Sequence, residues 1–272
     1  MLISLYVILV EFLVEGNQML GAIAGDIIGS AYERYPIKTK KFKFFSKHSQ
    51  FTDDTVMTLA VLKAILNNED YLKHVVDFGT RYADVGYGSS FRKWLKSWNH
   101  KPYNSWGNGS AMRVSAIAFL FETEEKVLDE AKKSAEITHN HPEGIKGAEA
   151  TALAIFMARK GKSKNQIRER ISKQFDYDLQ RTVEEIRPNY KFRVSCQESV
   201  PESIICFLDA ESYEDTICNA ISLGGDADTM ACIAGGIAEA YYGEIPSEIL
   251  VEVYKRLPKE FLEIVLRFRD RV

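Results

Sequence analysis

Three stretches of this 272-residue chain, 21–31, 56–66 and 230–242, are apolar or small at nearly every position. A helix that is apolar on all its faces belongs in the interior of a fold, since no face of it is suited to water. The first and third stretches are also rich in Gly and Ala, which lets neighbouring backbones approach closely. They therefore predict a cluster of central helices packed against one another. Outside them the apolar spacing is helical almost everywhere from residue 20 onward, near 52–67, 70–85, 110–121, 123–138, 143–160, 164–173, 198–209, 212–222, 228–242, 247–256 and 258–269. Strand-like alternation is weak and confined to 40–45 and 191–195. With 46% apolar residues there is ample material for one core, and no repeat, low-complexity run or Pro/Gly/Ser linker marks a boundary. The expected architecture is all-α, one compact multi-helix domain spanning 19–272.

Charge and cysteines narrow the function. The 35 basic and 38 acidic residues sum to −3, so nothing here favours non-specific nucleic-acid binding. Cys196, Cys206, Cys218 and Cys232 form no C-x-x-C pair, which argues against a zinc ribbon or a disulfide scaffold and fits a reducing cytoplasm. The apolar opening, residues 2–14, lacks a basic leader and a cleavage site, contains Glu11, and is too short to span a bilayer. No membrane association is expected, and Met19 is the expected functional start, with residues 1–18 an extension or a misassigned start.

Each central stretch has acids at or near one end: Asp26 and Glu33 for the first, Thr52-Asp53-Asp54-Thr55 before the second, and Gly224-Gly225-Asp226-Ala227-Asp228-Thr229 before the third. Asp and Thr there are suited to capping helix N-termini. Capping takes one carboxylate, however, and neighbours in sequence do not share a helix face, so one aspartate of each pair is surplus. Burying an isolated carboxylate is costly, and the remedies are protonation, a basic partner or a metal. The motifs hold no Lys or Arg. Oxygen ligands of this kind suit Mg²⁺ or Mn²⁺, and as many as five acids exceed the charge of one such ion, which points to two. Two ions about 3.5–4 Å apart share and activate a bridging water.

Two further motifs supply ligand chemistry. Gly107-Asn108-Gly109-Ser110 precedes Ala111-Met112-Arg113-Val114, and a Gly-rich turn entering a helix offers N–H groups to a phosphate, although a plain capping turn has the same composition. Tyr103, Ser105 and Trp106 just upstream are suited to stacking on a base or ribose, or to packing. In Thr138-His139-Asn140-His141-Pro142-Glu143, Pro142 suits the first position of a helix. Histidines at i and i+2 are able to bind metal or orient a phosphate, the role favoured for His139, whereas His141 is equally suited to capping. His48, His74 and His100 have no partner visible in the sequence.

As a set, Gly21-x-x-x-Gly-Asp-x-x-Gly-x-x-x-Glu33, Thr52-Asp-Asp-Thr55, Gly107-Asn-Gly-Ser-Ala-Met-Arg113, Thr138-His-Asn-His-Pro142, Gly224-Gly-Asp-Ala-Asp-Thr229 and Ala240-Tyr-Tyr-Gly-Glu-Ile-Pro246 resemble the ADP-ribosylglycohydrolases. The resemblance is to the branch containing the dinitrogenase-reductase-activating glycohydrolase, and it covers roughly residues 20–250. It implies an all-helical domain with two Mg²⁺ or Mn²⁺ ions at the base of a cleft that takes ADP-ribose from an ADP-ribosylated protein or small molecule. Thr52, Asp53, Asp54, Asp226, Asp228 and Thr229 are the implied metal ligands. Glu33 falls on a glutamate beside the metals, with Asp53, Asp54 and Asp226 as the other acid or base candidates. The stretch Ser105, Trp106, Gly107, Asn108, Gly109 and Ser110 matches a diphosphate- and ribose-holding loop, and His139 a histidine on the ligand. Trp106 departs from the aromatic that relatives often carry there.

The reaction so implied is hydrolysis at the anomeric carbon of the ribose distal to adenine, in the two-carboxylate manner of glycoside cleavage. One rival is a His-Asp metal phosphohydrolase, but none of the five histidines precedes an Asp. The other is a non-catalytic relative of the same fold, which is expected to lose metal ligands that this sequence keeps. The loops 34–50 and 86–106 are the expected determinants of the acceptor.

Overall fold

The computed structural model describes residues 19–271, and the expectation about residues 1–18 lies outside them. Among the described residues there are fourteen α-helices and no strand. In chain order they are α1 (Gly21–Glu33), α2 (Asp53–Asn67), α3 (Tyr71–Arg81), α4 (Ser89–Leu95), α5 (Ser115–Leu120), α6 (Glu124–Glu136) and α7 (Pro142–Arg159). There follow α8 (Lys164–Phe175), α9 (Val183–Ile186), α10 (Cys196–Leu208), α11 (Tyr213–Ser222), α12 (Ala227–Tyr242), α13 (Ser247–Arg256) and α14 (Lys259–Arg269). The three stretches read as central are α1, α2 and α12, and the middle of each is buried.

The departures from periodicity have local causes. The helix expected over 110–121 starts only at Ser115, because Asn108–Ser110 winds as a 3₁₀ turn ahead of it. The segment 40–45 is irregular, and 191–195 contributes one isolated antiparallel bridge, Gly107 to Ser195. The short helices α4 and α9 have too few turns to give a periodic signal.

The hinge-pin of the fold is the antiparallel pair α1 and α12. Small residues at four-residue spacing face each other, with Gly21, Gly25 and Gly29 of α1 against Gly235, Ala231 and Ala227 of α12. A Cβ on Gly25 would lie 2.1 Å from the Ala231 carbonyl oxygen, and one on Gly29 2.4 Å from that of Ala227, so the two backbones touch. At the far end Glu239 of α12 accepts hydrogen bonds from the backbone N–H of Leu20 and Gly21, both at 2.9 Å. It thereby satisfies the open N-terminus of α1 from another helix, although burial pushes its carboxyl up to about 8. This register carries the C-terminal half of α1 to the N-terminus of α12. Around the pair, α7 packs on α6, α10 and α12, while α2 is flanked by α3 and α14. No helix among the described residues is long and apolar enough to cross a membrane.

Candidate functional site

At one end of the central layer the N-termini of α2 and α12 meet the second half of α1, and both N-termini direct their positive dipole ends into the same space. Thr52 caps α2 by accepting from the Asp54 N–H at 3.3 Å, so neither aspartate of that pair acts as the cap. Asp226 occupies the capping position of α12 without making a side-chain cap bond, and Asp228 Oδ1 accepts from the N–H of Thr229 at 3.0 Å. The Gly224-Gly225 turn that delivers them is needed as glycine twice. Gly224 has φ +63°, and a Cβ on Gly225 would lie 2.4 Å from the Tyr190 ring.

Asp26 was absent from the expected ligand set and turns out to organise it. Fully buried, it accepts from Thr52 N–H at 3.0 Å, Thr52 Oγ1 at 2.7 Å, Thr55 N–H at 3.1 Å and Thr55 Oγ1. It is a second, long-range cap for α2, and the visible signal was a lone carboxylate in the middle of an otherwise apolar helix. Asp26, Asp54 and Asp228 bring carboxylate oxygens within 4.8 Å of one another, and Glu33, Asp226 and Asp228 form a second such group. Thr229 Oγ1 donates to Asp54 Oδ2 at 3.2 Å, and Asn108 Nδ2 to Asp226 Oδ2 at 2.7 Å. Asp53 sits at the edge: its Oδ1 would be 3.1 Å from a Cβ on Gly86, and it joins neither group.

Among the described residues none of these aspartates is paired with a Lys or Arg, and the buried Asp54 Oδ1 has no hydrogen-bond partner at all. Such a set of crowded, base-free carboxylates with one orphaned oxygen fits a hard divalent cation. The crowding is visible in the protonation of the acids. Burial holds Asp54 well above the usual carboxylate range, helped by the charges of Asp26, Asp53 and Asp226. Asp228 is pushed up in the same way by burial and then by Asp226, Asp54, Glu33 and Asp26. Burial raises Asp26 to about 6, and burial with the Asp26 charge raises Asp53 to about 8. Glu33, half-buried, is raised by burial and by Asp226.

Folded carboxyls raised above their unfolded values favour the protonated native state, so the stability they contribute is full below the unfolded pKa and is lost as pH rises through the folded one. Cation-free protein is therefore expected to lose roughly 10 °C in Tm between about pH 4.5 and about pH 8. A Tm that rises over that window in the presence of chelator contradicts the crowded-acid picture.

Above the acids lies a cavity of about 450 Å³ lined by Glu33, Thr52, Asp53, Asp54, Asp226, Asp228 and Thr229 on its floor. Its walls include Phe91, Tyr103, Ser105, Gly107, Asn108, Gly109, His139, Phe192 and Val194. Phe192 and Val194 lie in the stretch of weak strand-like alternation, which carried no sign of a place in the site. They arrive because Asn108 N–H donates to Val194 O at 2.8 Å and Cys196 N–H to Trp106 O at 2.9 Å, which fastens their segment beside the Gly-rich turn.

Two residues expected on the ligand stand elsewhere. Ser110 Oγ is buried and donates to Gly144 O at 2.7 Å, tying the turn to α7. Trp106 is 51% exposed, meets the ring of His141 edge-on at 5.4 Å, and does not line the cavity. The turn's amides are also partly spent, with Gly107 N–H on Ser105 Oγ at 3.1 Å and Asn108 N–H on Val194. Of the histidines, His141 caps α7 by accepting from Glu143 N–H at 3.1 Å. His74 and His100, without visible partners in the sequence, bond to Glu69 at 2.6 Å and approach Leu95 O at 3.3 Å.

The family model described as ADP-ribosylglycohydrolase matches residues 17–271. The chain is 30% identical to ADP-ribosylhydrolase ARH3 of Homo sapiens over 83% of its own length and 84% of that protein. Against ADP-ribosylhydrolase ARH3 of Bos taurus it is 29% identical, again over 83% of this chain and 84% of the relative. A solved structure titled ADP-ribosylglycohydrolase-related protein complex superposes with a TM-score of 0.72 at 24% identity, covering 93% of this chain and 95% of that one, which establishes the shared fold.

Proposed function

The chain belongs to the ADP-ribosylglycohydrolase family, and from that premise we propose that it is a divalent-cation-dependent hydrolase that releases ADP-ribose from an ADP-ribosylated protein side chain or small molecule. The observation that carries the reading is the convergence of Asp54, Asp226 and Asp228 with Thr229 beneath a cavity large enough for a nucleotide-sized ligand. Thr52, Asp53, Asp54, Asp226, Asp228 and Thr229 are the residues proposed to hold two cations, Mg²⁺ or Mn²⁺, with Asp26 behind them. When bound, such cations polarise water and the hydroxyls of a ribose.

The chain's own residues account for the rest. Asn108 fixes the orientation of the Asp226 carboxylate through its 2.7 Å bond. Thr229 directs its hydroxyl onto Asp54 Oδ2 at 3.2 Å, while the Thr52 hydroxyl is held by Asp26 at 2.7 Å and Asp54 Oδ1 is left buried without a hydrogen-bond partner. Glu33 is half-buried at the cavity edge, where burial and Asp226 raise its affinity for a proton. It is therefore suited to give a proton to the departing acceptor or to take one from the attacking water. Ser105, Gly107, Gly109 and His139 form the wall proposed to receive the diphosphate, and Tyr103 and Phe192 offer aromatic faces at the same opening. Hydrolysis then breaks the bond from the anomeric carbon of the distal ribose to the acceptor, water supplying the new hydroxyl and the acceptor leaving with a proton.

The experiment is incubation with arginine-linked, serine-linked and small-molecule ADP-ribosyl substrates, with chelator and after re-addition of Mg²⁺ or Mn²⁺. Expected is release of ADP-ribose from at least one acceptor class, abolished by chelator and restored by cation. Absence of release from every class, or release indifferent to chelator, defeats the proposal.

A further inference from the structure

Behind the cavity wall lies a buried cation that the chemistry above does not use. The Arg113 side chain is 1% exposed, and among the described residues it has no carboxylate partner. An uncompensated buried charge is costly unless hydrogen bonds meet its donors. Arg113 Nε donates to Ser134 Oγ at 3.3 Å and Nη2 to the Ser134 carbonyl oxygen. Nη2 also donates to Thr138 Oγ1 at 3.0 Å, and that hydroxyl lies 2.7 Å from His139 Nδ1.

One set of directions in this chain gives every donor a partner. A guanidinium only donates, so Thr138 Oγ1 accepts from Arg113. The hydroxyl's own proton is satisfied by His139 Nδ1, 2.7 Å away, whereas a proton on Nδ1 would leave it without that acceptor. Nδ1 is then the unprotonated ring nitrogen, and a neutral imidazole must carry its hydrogen on Nε2. Nε2 points at the Gly-rich turn: a Cβ on Gly109 would crowd it at 3.2 Å, and one on Gly107 would lie in ordinary contact at 3.6 Å. The neighbouring cation also opposes a second ring proton, and burial with the Arg113 charge holds His139 well below the usual imidazole range. The ring's other flank is the Tyr103 face, 5.9 Å between centroids.

We propose that Arg113 and Thr138 are positioning residues that lock His139 as a neutral imidazole protonated on Nε2, a donor-only group aimed at an anionic oxygen of the cleft ligand. The positive charge behind Thr138 polarises that donor, as suits a phosphate oxygen. A locked donor is also unable to serve as a base, which leaves proton removal to the carboxylates on the cavity floor. The identity of the anion rests on the functional reading above, whereas the lock itself does not.

The test separates the two. Long-range proton–nitrogen correlation spectra of uniformly ¹⁵N-labelled, full-length protein report the protonation of each ring nitrogen, and comparison with His139→Asn assigns the signal. Expected is the Nε2–H pattern for His139 without ligand, unchanged between about pH 5.5 and about pH 8. Thr138→Val removes the hydroxyl at nearly constant shape. It is expected to lose the fixed pattern and to bind ADP-ribose roughly tenfold more weakly by calorimetry, about 1.4 kcal/mol. Thr138→Ser is expected to restore both, which a role in packing alone would not produce. A wild-type His139 protonated on Nδ1 or on both nitrogens, or a Thr138→Val protein that keeps the Nε2–H pattern, overturns the lock. Wild-type protein with the expected pattern that binds no ADP-ribose supports the lock and instead removes the functional reading.

Discussion

Asp228→Asn is expected to abolish turnover while making the cation-free protein more stable. In the native structure Asp228 is buried among Asp226, Asp54, Glu33 and Asp26, with burial as the larger cause of its raised protonation and their charges the next. The amide keeps an oxygen able to accept from Thr229 N–H, the bond that Asp228 makes at 3.0 Å, and removes one of the crowded charges. Relief of that repulsion is expected to raise the Tm of chelated protein near neutral pH by a few degrees, at about 2–4 °C for each kcal/mol. The same change deletes a proposed ligand. Wild-type protein at a cation concentration of about 100 Kd gains about 2.7 kcal/mol, and the variant is expected to gain almost none of it. Turnover is expected to fall on the order of 10³-fold or more, about 4 kcal/mol of barrier. Thermal melts with and without Mg²⁺ or Mn²⁺, beside an ADP-ribose release assay, read all three effects. An active variant whose Tm still climbs with cation would remove Asp228 from the site.

Gly25→Ala carries the largest expected effect on the fold, and its sign runs against local propensity. Within a helix Ala is favoured over Gly by about 1 kcal/mol, so α1 alone would gain from the change. The new methyl, however, would stand 2.1 Å from the Ala231 carbonyl oxygen, 2.4 Å from its carbon and 2.8 Å from Cys232 N. All three are backbone atoms and none swings aside, so α1 and α12 have to separate. A loss exceeding about 4 kcal/mol is expected, seen as a Tm lower by roughly 10 °C or as insoluble protein. Because Asp26 is the next residue, any folded remainder is expected to show a weakened cation response as well. Gly88→Ala is the control: a Cβ there meets nothing within 4 Å, and near-wild-type stability is expected. Equal behaviour of the two variants would mean that close approach does not hold the central pair.

The legible part of the candidate site was the part written in adjacent residues. Two aspartates at each of two helix starts exceed what capping uses, and in the structure Thr52 does that work for α2 while Asp53 and Asp54 do not. The illegible part was written in pairings across the chain. Asp26 caps the first turn of α2 from 26 and 29 residues away in sequence. Ser110 and Ser105 looked alike as ligand groups until Gly144 claimed the hydroxyl of Ser110. Trp106, named for its chemistry, faces outward, while Phe192 and Val194 enter the cavity wall on the strength of two backbone hydrogen bonds.

By itself the sequence determined where most of the helices lie, which of them are central, and that acids gather at their ends. Each of these depends on periodicity or composition within a few turns, and burial rewards that pattern wherever the chain places it. Tertiary structure alone decided which carboxylate faces which, which hydroxyl reaches the cavity and which nitrogen of His139 is left pointing at it. Those outcomes turn on separations of a few tenths of an ångström between segments far apart in the chain, and no local pattern encodes such a distance.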